Sequence, residues 1–563
     1  MISVTIPTPR ATPANPPGPR FSRSRLLALA AVLILSLICP SCLTPEQAVA
    51  EVDEEAYGIL ADKQIEVRGV KYAFRVDPPK GRVADRIIDP ETGLARQEEV
   101  LIITLAAALE IAAENSRDFQ AAKETLYRSA LNLMGEREDF RNTPFALLSG
   151  DISKSGGTES IDADGDFGVT RMLERGGSYA LTLGLDFLRV ISAPTSEDLT
   201  SFLNLSISLP FLRNAGREIA YENLTQADRD ALYAMRDFER FKQTFGVRVM
   251  SSYLRLLSQK RRIENEEANL ESLAVARERN EELFAEERIN IVQVDQTKQS
   301  ELLGRDRLVV AIQAMESSLD NFKDLLGLPV DMKADIRLED LQALDDLITT
   351  KMDWTSTDLT ILAFKSRLDF RSVVDGVADA ARRVVVAENQ LKPSLNLNLS
   401  ARATSDSLKP LKYNFDNGIY TAGLDFDPGF DLDLESISLR RSILDFERSL
   451  RSQEDFVNQV KLEVQSAVRQ LQQNLDVYRI SQTAVKLAEQ RVESSRLFLE
   501  EGRVETRDFL ESQEALISNQ NTLVRNLVEY RIAYLELLRD TGALVVSPEG
   551  LDHDTSSNLL ELD

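Results

Sequence analysis

The sequence has few of the residues from which catalytic and metal sites are usually built. Its 563 residues include two cysteines, Cys39 and Cys42, one histidine, His553, and one tryptophan, Trp354. Zinc binding, thiol chemistry and Ser-His-Asp catalysis draw on residues of these types. We therefore predict that the protein is not an enzyme and holds no metal or cofactor. Acidic residues number 91 against 66 basic ones, a net charge of −25, which argues against nucleic acid as a partner.

The first 42 residues carry the pattern of an export signal. An arginine-rich stretch precedes a run of 13 mostly apolar residues, 26–38, which is shorter than the ~20 residues that a membrane helix needs. Two processing sites remain open: a degenerate lipobox that would leave Cys42 lipidated, and a signal-peptidase site at 48–50. Either cleavage leaves at most one cysteine, so no internal disulfide is expected.

The second half of the chain repeats the first. The letters LFAEERI at 283–289 match LFLEEGRV at 497–504 with one extra residue, which places Arg288 on Arg503, 215 positions later. Large apolar residues then recur at alternating steps of four and three in both halves, a spacing typical of a helix in a coiled coil. Since this shared register ends at a glycine in each half, we interpret the pattern as a duplication.

Each half predicts the same order of elements: a helix, extended segments, a long helix and a shorter helix. The long helices span about 216–287 and 437–501, and neither contains proline. At 1.5 Å per residue the first would be on the order of 105 Å long, and such a helix needs partners along its whole length. On these helices alone, a soluble coiled-coil rod fits as well as any other architecture.

Apolar and polar residues alternate in four segments, two in each half. These segments are 181–187, 203–209, 395–401 and 420–426. Strands of about 9 to 15 residues are long enough to cross an outer membrane when tilted, where lipid could cover their apolar side. Four strands cannot close a barrel, and an unpaired backbone group costs several kcal/mol in hydrocarbon, so the chain must oligomerise if they enter a membrane. Residues 150–177 are predicted as a loop or an additional extended segment.

Three further motifs occur in order along the two halves. They are SLPFLRNAG at 208–216, LKPSLNL at 391–397 and EGRVETRDFLESQ at 501–513. The first resembles the strand-to-helix junction of the outer-membrane efflux protein family, the TolC-like channels. The second is similar to that family's second entry into its barrel, and the third to the turn at its periplasmic tip. Within the duplicated frame, the resemblance covers about residues 100–545.

The resemblance implies a mainly α fold with β structure: long coiled-coil helices form an α-barrel tunnel, and four strands per chain contribute to a 12-stranded transmembrane β-barrel in a homotrimer. It also implies a passive outer-membrane channel for tripartite efflux or type I secretion. Such a channel contacts outer-membrane lipid, a periplasmic adaptor (membrane fusion protein) and an inner-membrane transporter. The alternative is a periplasmic coiled-coil protein with a structural or interaction role and no channel activity.

The export signal, the repeat and the resemblance together divide the chain into predicted segments. They are a signal peptide at 1–42, an N-terminal periplasmic segment at 43–99, a first repeat at 100–330, an equatorial connection at 331–356, a second repeat at 357–543 and an acidic tail at 544–563.

In the family, two acidic residues three apart narrow the closed end of the tunnel, and the matching positions here are Asp508 and Glu511. Three chains would bring six carboxylates together, which favours cations between them; the alternative is that both residues are simply solvated. The first half departs from the pattern, with Gln293 and Gln296 at the equivalent positions and Glu287 in place of the tip glycine. Candidates for contacts at the tip or with an adaptor are Arg288, Ile289, Gly502, Arg503, Val504 and Arg507.

Overall fold

The computed structural model describes residues 44–78, 100–155, 158–190, 197–339, 341 and 354–545. The chain divides into two compact units, residues 1–58 and 59–563. The described part of the first is the beginning of helix α1 (Pro45–Arg68), and all other helices and strands belong to the second. The signal segment with Cys42 and the tail from residue 546, with His553, lie outside the described residues.

Nine helices follow α1 in the described residues, as two similar sets. They are α2 (Leu105–Asn115), α3 (Arg117–Glu138), α4 (Arg217–Ala220), α5 (Glu222–Ala285) and α6 (Ile291–Leu325) in the first half, and α7 (Ser356–Ser366), α8 (Leu368–Gln390), α9 (Asp433–Glu500) and α10 (Thr506–Thr541) in the second. The predicted long helices are observed as α5 and α9, each about 100 Å long at 1.5 Å per residue. Among the described residues, none of these helices is both long enough and apolar enough to cross a membrane.

Two long helical hairpins hold most of the buried apolar residues: α5 turns back into α6, and α9 into α10. One apolar cluster joins α5, α6 and α10 around Leu254, Phe322 and Leu527. A second joins α7, α9 and α10 around Val464 and Leu537. Because a fully buried side chain of this kind contributes about 1.5–3 kcal/mol, these clusters stabilise helices that would not hold alone, and α10 ties the two hairpins together.

The strands form one large antiparallel sheet and one short parallel pair. The pair joins β1 (Leu101–Ile103) to β6 (Ala334–Ile336). The large sheet has seven strands in the order β2-β3-β4-β5-β7-β8, with β9 also paired with β7. Its strands are β2 (Thr143–Ser155), β3 (Thr158–Met172), β4 (Ser178–Val190), β5 (Glu197–Pro210), β7 (Ser394–Asp406), β8 (Lys409–Tyr413) and β9 (Ile419–Asp427).

The predicted fold class is confirmed, but the sheet contains more strands than the sequence predicted. The four predicted segments are observed as β4, β5, β7 and β9. The count of four is too low because β2 and β3 form a further hairpin and β8 adds a short strand. Of the two alternatives for 150–177, additional extended structure is therefore the one observed. The alternation is hard to recognise there because β2 places Phe145 and Leu148 on opposite sides, and β3 is rich in aspartate and glycine.

One face of the sheet is apolar across all six long strands. A single hydrogen-bonded row on this face contains Pro144, Val169, Leu181, Leu205, Ala401 and Tyr420. The neighbouring row on the other face contains Thr143, Thr170, Ala180, Ser206, Ser400 and Thr421. On the apolar face, Leu148 is 59% exposed and Leu424 66% exposed in the single chain. The sheet therefore presents an uncovered apolar surface. The polar face is interrupted by several large apolar side chains, among them Phe145, Leu147, Leu188, Phe202 and Ile419.

The duplication is visible in the backbone. Left-handed residues occur in three pairs separated by 215 positions: Asn214 with Gly429, Glu287 with Gly502, and Gly327 with Gly542. The last pair ends α6 and α10. In each half the residue after the glycine donates its N–H to a carbonyl in the last turn of the helix: Leu328 to Lys323 and Ala543 to Leu538, both at 2.9 Å. Helices that end in a left-handed glycine commonly make this bond. The two halves therefore share backbone geometry at these positions, as a duplication predicts.

Candidate functional site

Apart from Cys42, the predicted site residues lie in or just after the two turns where the long hairpins reverse direction. The first tip turn, 286–290, joins α5 to α6, and the second tip turn, 501–505, joins α9 to α10. Arg288 N–H donates to the Leu283 carbonyl at 2.9 Å, and Arg503 N–H donates to the Phe498 carbonyl at 2.8 Å. The donors and the acceptors of these two bonds are each 215 positions apart, so the two turns have the same length and the prediction of an extra residue in the second copy is wrong. The letters LF at 283–284 and 497–498 match in sequence but are one residue out of step in the structure.

Glu287 takes the place of glycine in the first tip turn without changing the turn. Its φ is 57°, against 72° for Gly502. A side chain in this left-handed region costs roughly 1–2 kcal/mol because its Cβ crowds the following carbonyl, whereas glycine adopts the conformation freely. The first half therefore keeps a tight turn, held by the surrounding helices against a local preference.

Asp508 and Glu511 lie in the first two turns of α10, directly after the second tip turn. Their spacing places them on one side of the helix, but they have separate partners. Asp508 lies 3.6 Å from Arg507, and Glu511 accepts a 2.8 Å hydrogen bond from Arg491 of α9. Their side chains are 44% and 63% exposed. In the single chain both carboxylates are therefore accessible and each already lies beside a cation.

The remaining tip candidates are grouped by turn. Arg288 lies 3.4 Å from Glu286, and Arg503 lies 3.2 Å from Glu501, with both arginines 66% exposed. The Arg503 guanidinium also lies 5.0 Å from the centre of the Phe498 ring. Each arginine is followed by its apolar candidate, Ile289 in the first turn and Val504 in the second. The two turns thus present equivalent exposed cations held by local acids.

Two other arginines hold this region together and were not predicted. Arg491 bonds Glu511 across the α9–α10 hairpin. Arg307 of α6 lies 3.4 Å from Glu266 of α5 and 3.4 Å from Glu514 of α10, so it links the two hairpins. In the sequence, these contacts could be found only from the distance of each residue along its helix from the tip turn. That distance is informative only when the register of the paired helices is known.

A cavity of about 290 Å³ lies beside the second tip turn, between α5, α6 and α10. Glu511 and Arg507 line it from α10, and Gln296 lines it from α6. Gln296 is the residue that the duplication matches with Glu511. The structure therefore brings the two equivalent positions to the same cavity, with a carboxylate on one side and a neutral amide on the other.

A second group of charged residues lies away from the tip turns, on α5. Glu239 is buried and forms ion pairs with Arg68 at 2.9 Å and Lys242 at 2.6 Å, and it accepts a short hydrogen bond from the Tyr72 hydroxyl. Burial alone would raise the pKa of Glu239, but Lys242, Tyr72 and Arg68 outweigh it and hold that pKa below its ordinary value. Burial, reinforced by Glu239, raises the pKa of Tyr72.

This network holds the end of α1 and the segment after it against α5. Its charged groups are paired with one another, which is typical of a structural role. Throughout the described residues, no group of three or more His, Cys, Asp or Glu side chains is placed to hold a metal ion.

Comparisons with known proteins place these features in a known fold. No protein-family profile and no curated protein sequence matches the chain. Among solved structures, CusC, whose crystal structures concern folding and transmembrane channel formation, aligns with a TM-score of 0.58 and 14% identity over 83% of this chain and 98% of its own. The outer-membrane protein VceC from Vibrio cholerae aligns with a TM-score of 0.58 and 16% identity over 78% of this chain and 96% of its own.

The CmeC outer-membrane channel of Campylobacter jejuni gives a TM-score of 0.57 and 15% identity over 81% of this chain and 88% of its own. These alignments cover between 88% and 98% of the solved chains. The resemblance predicted from the sequence motifs is therefore confirmed for the fold: the chain has the fold of the TolC-like outer-membrane channels.

Proposed function

We propose that the protein is the subunit of a passive outer-membrane channel. The observation that carries this proposal is the exposed apolar face that continues across six antiparallel strands. The sheet joins the N-terminal ends of α5 and α9, and the tip turns lie at their C-terminal ends, about 100 Å away. An apolar face of this kind suits outer-membrane lipid. Because the sheet has open edges, and unpaired backbone groups are costly in hydrocarbon, copies of the chain must pair to close a wall.

The assembly in this proposal is a homotrimer that works with a periplasmic adaptor and an inner-membrane transporter, in tripartite efflux or type I secretion. The similarity of the fold to CusC, VceC and CmeC supports this assembly. The tip turns are the candidate adaptor contacts because Arg288 and Arg503 are exposed there in equivalent positions.

The aperture in this proposal is a ring of carboxylates at the second tip turn. Asp508 and Glu511 of three chains would bring six acids close to one axis, where like charges favour bound cations. Arg491 would hold Glu511 at a fixed height along α9 through its 2.8 Å hydrogen bond. Passage is therefore expected to favour cations and to be sensitive to divalent metal.

The first experiment measures assembly and conductance. Mature protein extracted in detergent is expected to have the mass of a trimer and to conduct ions in planar bilayers. A protein that stays monomeric in water without detergent and conducts nothing would contradict the channel and favour a periplasmic coiled-coil rod.

The second experiment tests the aperture. Asp508→Asn with Glu511→Gln is expected to move the reversal potential in a salt gradient toward zero and to weaken block by divalent cations. Glu267→Gln with Glu271→Gln, an exposed pair on α5, is the control for loss of two charges elsewhere. Equal effects of the two double variants would remove the basis for the ring.

For the membrane anchor we propose lipidation of Cys42, with cleavage at 48–50 as the alternative. Incorporation of labelled palmitate that disappears in Cys42→Ser is the expected result. Unlabelled protein with an amino terminus at residue 51 would contradict it.

A further inference from the structure

The two halves of the chain differ in length at one place. Their first helices begin at side-chain N-caps, Thr104 and Thr355, which are 251 positions apart. The first strands after these helices, β2 and β7, begin at Thr143 and Ser394, also 251 positions apart, and both have 13 residues. Strand β2 is therefore the counterpart of β7.

The offset has a different value after the sheet. Asn214 and Gly429, the left-handed residues just beyond β5 and β9, are 215 positions apart, and this offset holds to the helix ends at Gly327 and Gly542. Strand β5 is therefore the counterpart of β9. The difference between 251 and 215 is 36 residues, and it falls between β2 and β5. The first half thus contains one inserted hairpin, β3–β4.

The inserted hairpin lies inside the sheet, not at its margin. Strand β3 pairs along its length with β2, and β4 pairs with β5. In the second half the counterparts β7 and β9 pair directly with each other. The hairpin has thus separated two strands that the duplication predicts as neighbours, and it supplies their hydrogen-bond partners.

The hairpin has the same two faces as the rest of the sheet. Phe167 pairs with Leu183, which pairs with Leu203 of β5, on the apolar face. Asp164 pairs with Asp186 on the polar face. An inserted hairpin that extended into water would not need its apolar side chains in phase with those of its neighbours.

We infer that the inserted hairpin is part of the barrel wall, so that each chain contributes six wall strands and three copies close an 18-stranded barrel. This inference rests on the proposed function for the membrane and for the number of copies. The inferred count of 18 strands replaces the 12 strands that four strands per chain would give in a trimer. Because barrel diameter grows roughly linearly with strand number, the barrel is about half as wide again as a 12-stranded one of the same strand tilt.

The duplication also predicts how one chain pairs with the next. Within the chain, β5 pairs with β7. The counterparts of these strands are β9 and β2. Strand β2 forms one edge of the sheet, and β9 forms the other together with the short β8, since both pair with β7. The described residues of β2 and β9 are all exposed. In a closed ring β9 of one copy therefore pairs with β2 of the next, in the manner of β5 with β7.

The internal pairing fixes the register of this seam. Leu205 pairs with Ala401. The counterpart of Leu205 in β9 is Tyr420, 215 positions later, and the counterpart of Ala401 in β2 is Gly150, 251 positions earlier. Tyr420 is therefore expected opposite Gly150 of the next copy. The same offsets place Ala422 opposite Leu148, and Leu424 opposite Ala146. All three pairs lie on the apolar face, and each joins a larger side chain to a smaller one. The register therefore keeps the two faces continuous around the ring.

The first test compares two neighbouring residues of the inserted hairpin. Phe167→Cys lies on the apolar face and Asp166→Cys on the polar face, and both positions are equally half-buried in the single chain. In proteoliposomes, a membrane-impermeant maleimide is expected to label Asp166→Cys and to leave Phe167→Cys unlabelled, with the unsubstituted chain as the background. Labelling of both cysteines in a conducting trimer would place the hairpin outside the wall and overturn the inference.

The second test joins neighbouring copies through the seam. Thr421→Cys with Ser149→Cys is expected to form interchain disulfides, seen as covalent dimers and trimers on a non-reducing gel. Within one chain these positions are separated by five strand spacings, ~24 Å, so they cannot bond to each other. Thr421→Cys with Ser153→Cys is the control, because it shifts the register by four residues, ~13 Å, on the same face.

The outcomes separate the inference from the proposed function. Cross-linking by the control pair but not by the test pair, or no cross-linking in a protein that is trimeric and conducts, would show the seam to be wrong. A protein that neither forms trimers nor conducts would contradict the proposed function itself. An image of the purified trimer with 12 wall strands would overturn the count directly.

Discussion

Glu287 and Gly502 hold the same backbone conformation in equivalent turns, although only glycine favours it. We expect Glu287→Gly to stabilise the first hairpin by about 1 kcal/mol, because it relieves the Cβ contact of the left-handed conformation. Gly502→Ala should destabilise the second hairpin by a similar amount. Thermal unfolding in detergent measures both effects. If both variants shift the unfolding temperature in the same direction, the conformational argument fails.

Glu239 provides a second prediction for a single residue. Its pKa is held below the ordinary value in the folded protein, so the stabilisation is fully present above the pKa of the unfolded chain, about 4.3, and is lost as the pH falls through the folded pKa. Glu239→Gln leaves Arg68 and Lys242 without their buried partner, and we expect a loss of about 3 kcal/mol at pH 7. The variant should also lose less stability than the original protein between about pH 5 and pH 3, because it lacks the carboxylate that becomes protonated there.

Unfolding temperatures measured across this pH range provide the test for Glu239. Glu138→Gln is a suitable control because the Glu138 ion pair with Arg141 has both side chains about half exposed. Exposed pairs contribute about 0–1 kcal/mol, so this variant should change little. A parallel pH profile for Glu239→Gln and the original protein would contradict the assignment.

The ends of α6 and α10 give a prediction at the scale of helices. Both end in a left-handed glycine, and each glycine packs against the break between two helices of its own half. A Cβ on Gly327 would overlap the backbone carbonyl of Asn115, between α2 and α3, whereas a Cβ on Gly542 would lie 3.0 Å from the Ser366 carbonyl carbon. Gly327→Ala should therefore destabilise the protein by more than 3 kcal/mol and Gly542→Ala by about 2.

The comparison of these two variants is informative because the strained backbone conformation is common to both. The difference between their unfolding temperatures reports the packing contact alone. Equal losses would show that backbone strain dominates and that the close approach to Asn115 relaxes.

The long helices were predictable from sequence because they depend on a local pattern that repeats along the chain. The strands β4, β5, β7 and β9 were predictable for the same reason. Strands β2 and β3 were not, because the apolar residues of β2 lie on both of its faces and Asp162, Asp164 and Asp166 dominate one face of β3. These two strands can be assigned only from their hydrogen-bonded pairing with each other and with β4.

The candidate site shows the same limit. The position of Asp508 and Glu511 at the start of a helix follows from the tip motif and the duplication. The partner of Glu511 does not, because Arg491 reaches it only across the antiparallel hairpin. Contacts that depend on the register of two helices, such as Arg307 with Glu266 and Glu514, cannot be deduced from local spacing.

For the whole molecule, the decisive property is that one continuous sheet face is apolar while the chain as a whole carries a net charge of −25. A surface of this kind is covered by lipid or by protein. The polar face contains hydroxyl, amide and carboxylate groups that suit water. The orientation of the two faces therefore determines which substitutions in the sheet a membrane-inserted assembly can accept.

Leu399 and Asn398 are adjacent in β7 and lie on opposite faces of the sheet. Leu399 pairs with Ile207 and Ala422 on the apolar face, so Leu399→Lys would put a charge into lipid, at a cost of about 2–4 kcal/mol per chain near the bilayer centre. Asn398 bonds Ser208 at 2.8 Å and also bonds Asp425, so Asn398→Lys keeps an acid beside the new cation. We expect Leu399→Lys to reduce the trimer recovered from outer membranes at least several-fold, and Asn398→Lys to leave it nearly unchanged. The opposite ranking, measured by membrane fractionation and non-denaturing gels, would mean that the apolar face is turned away from lipid.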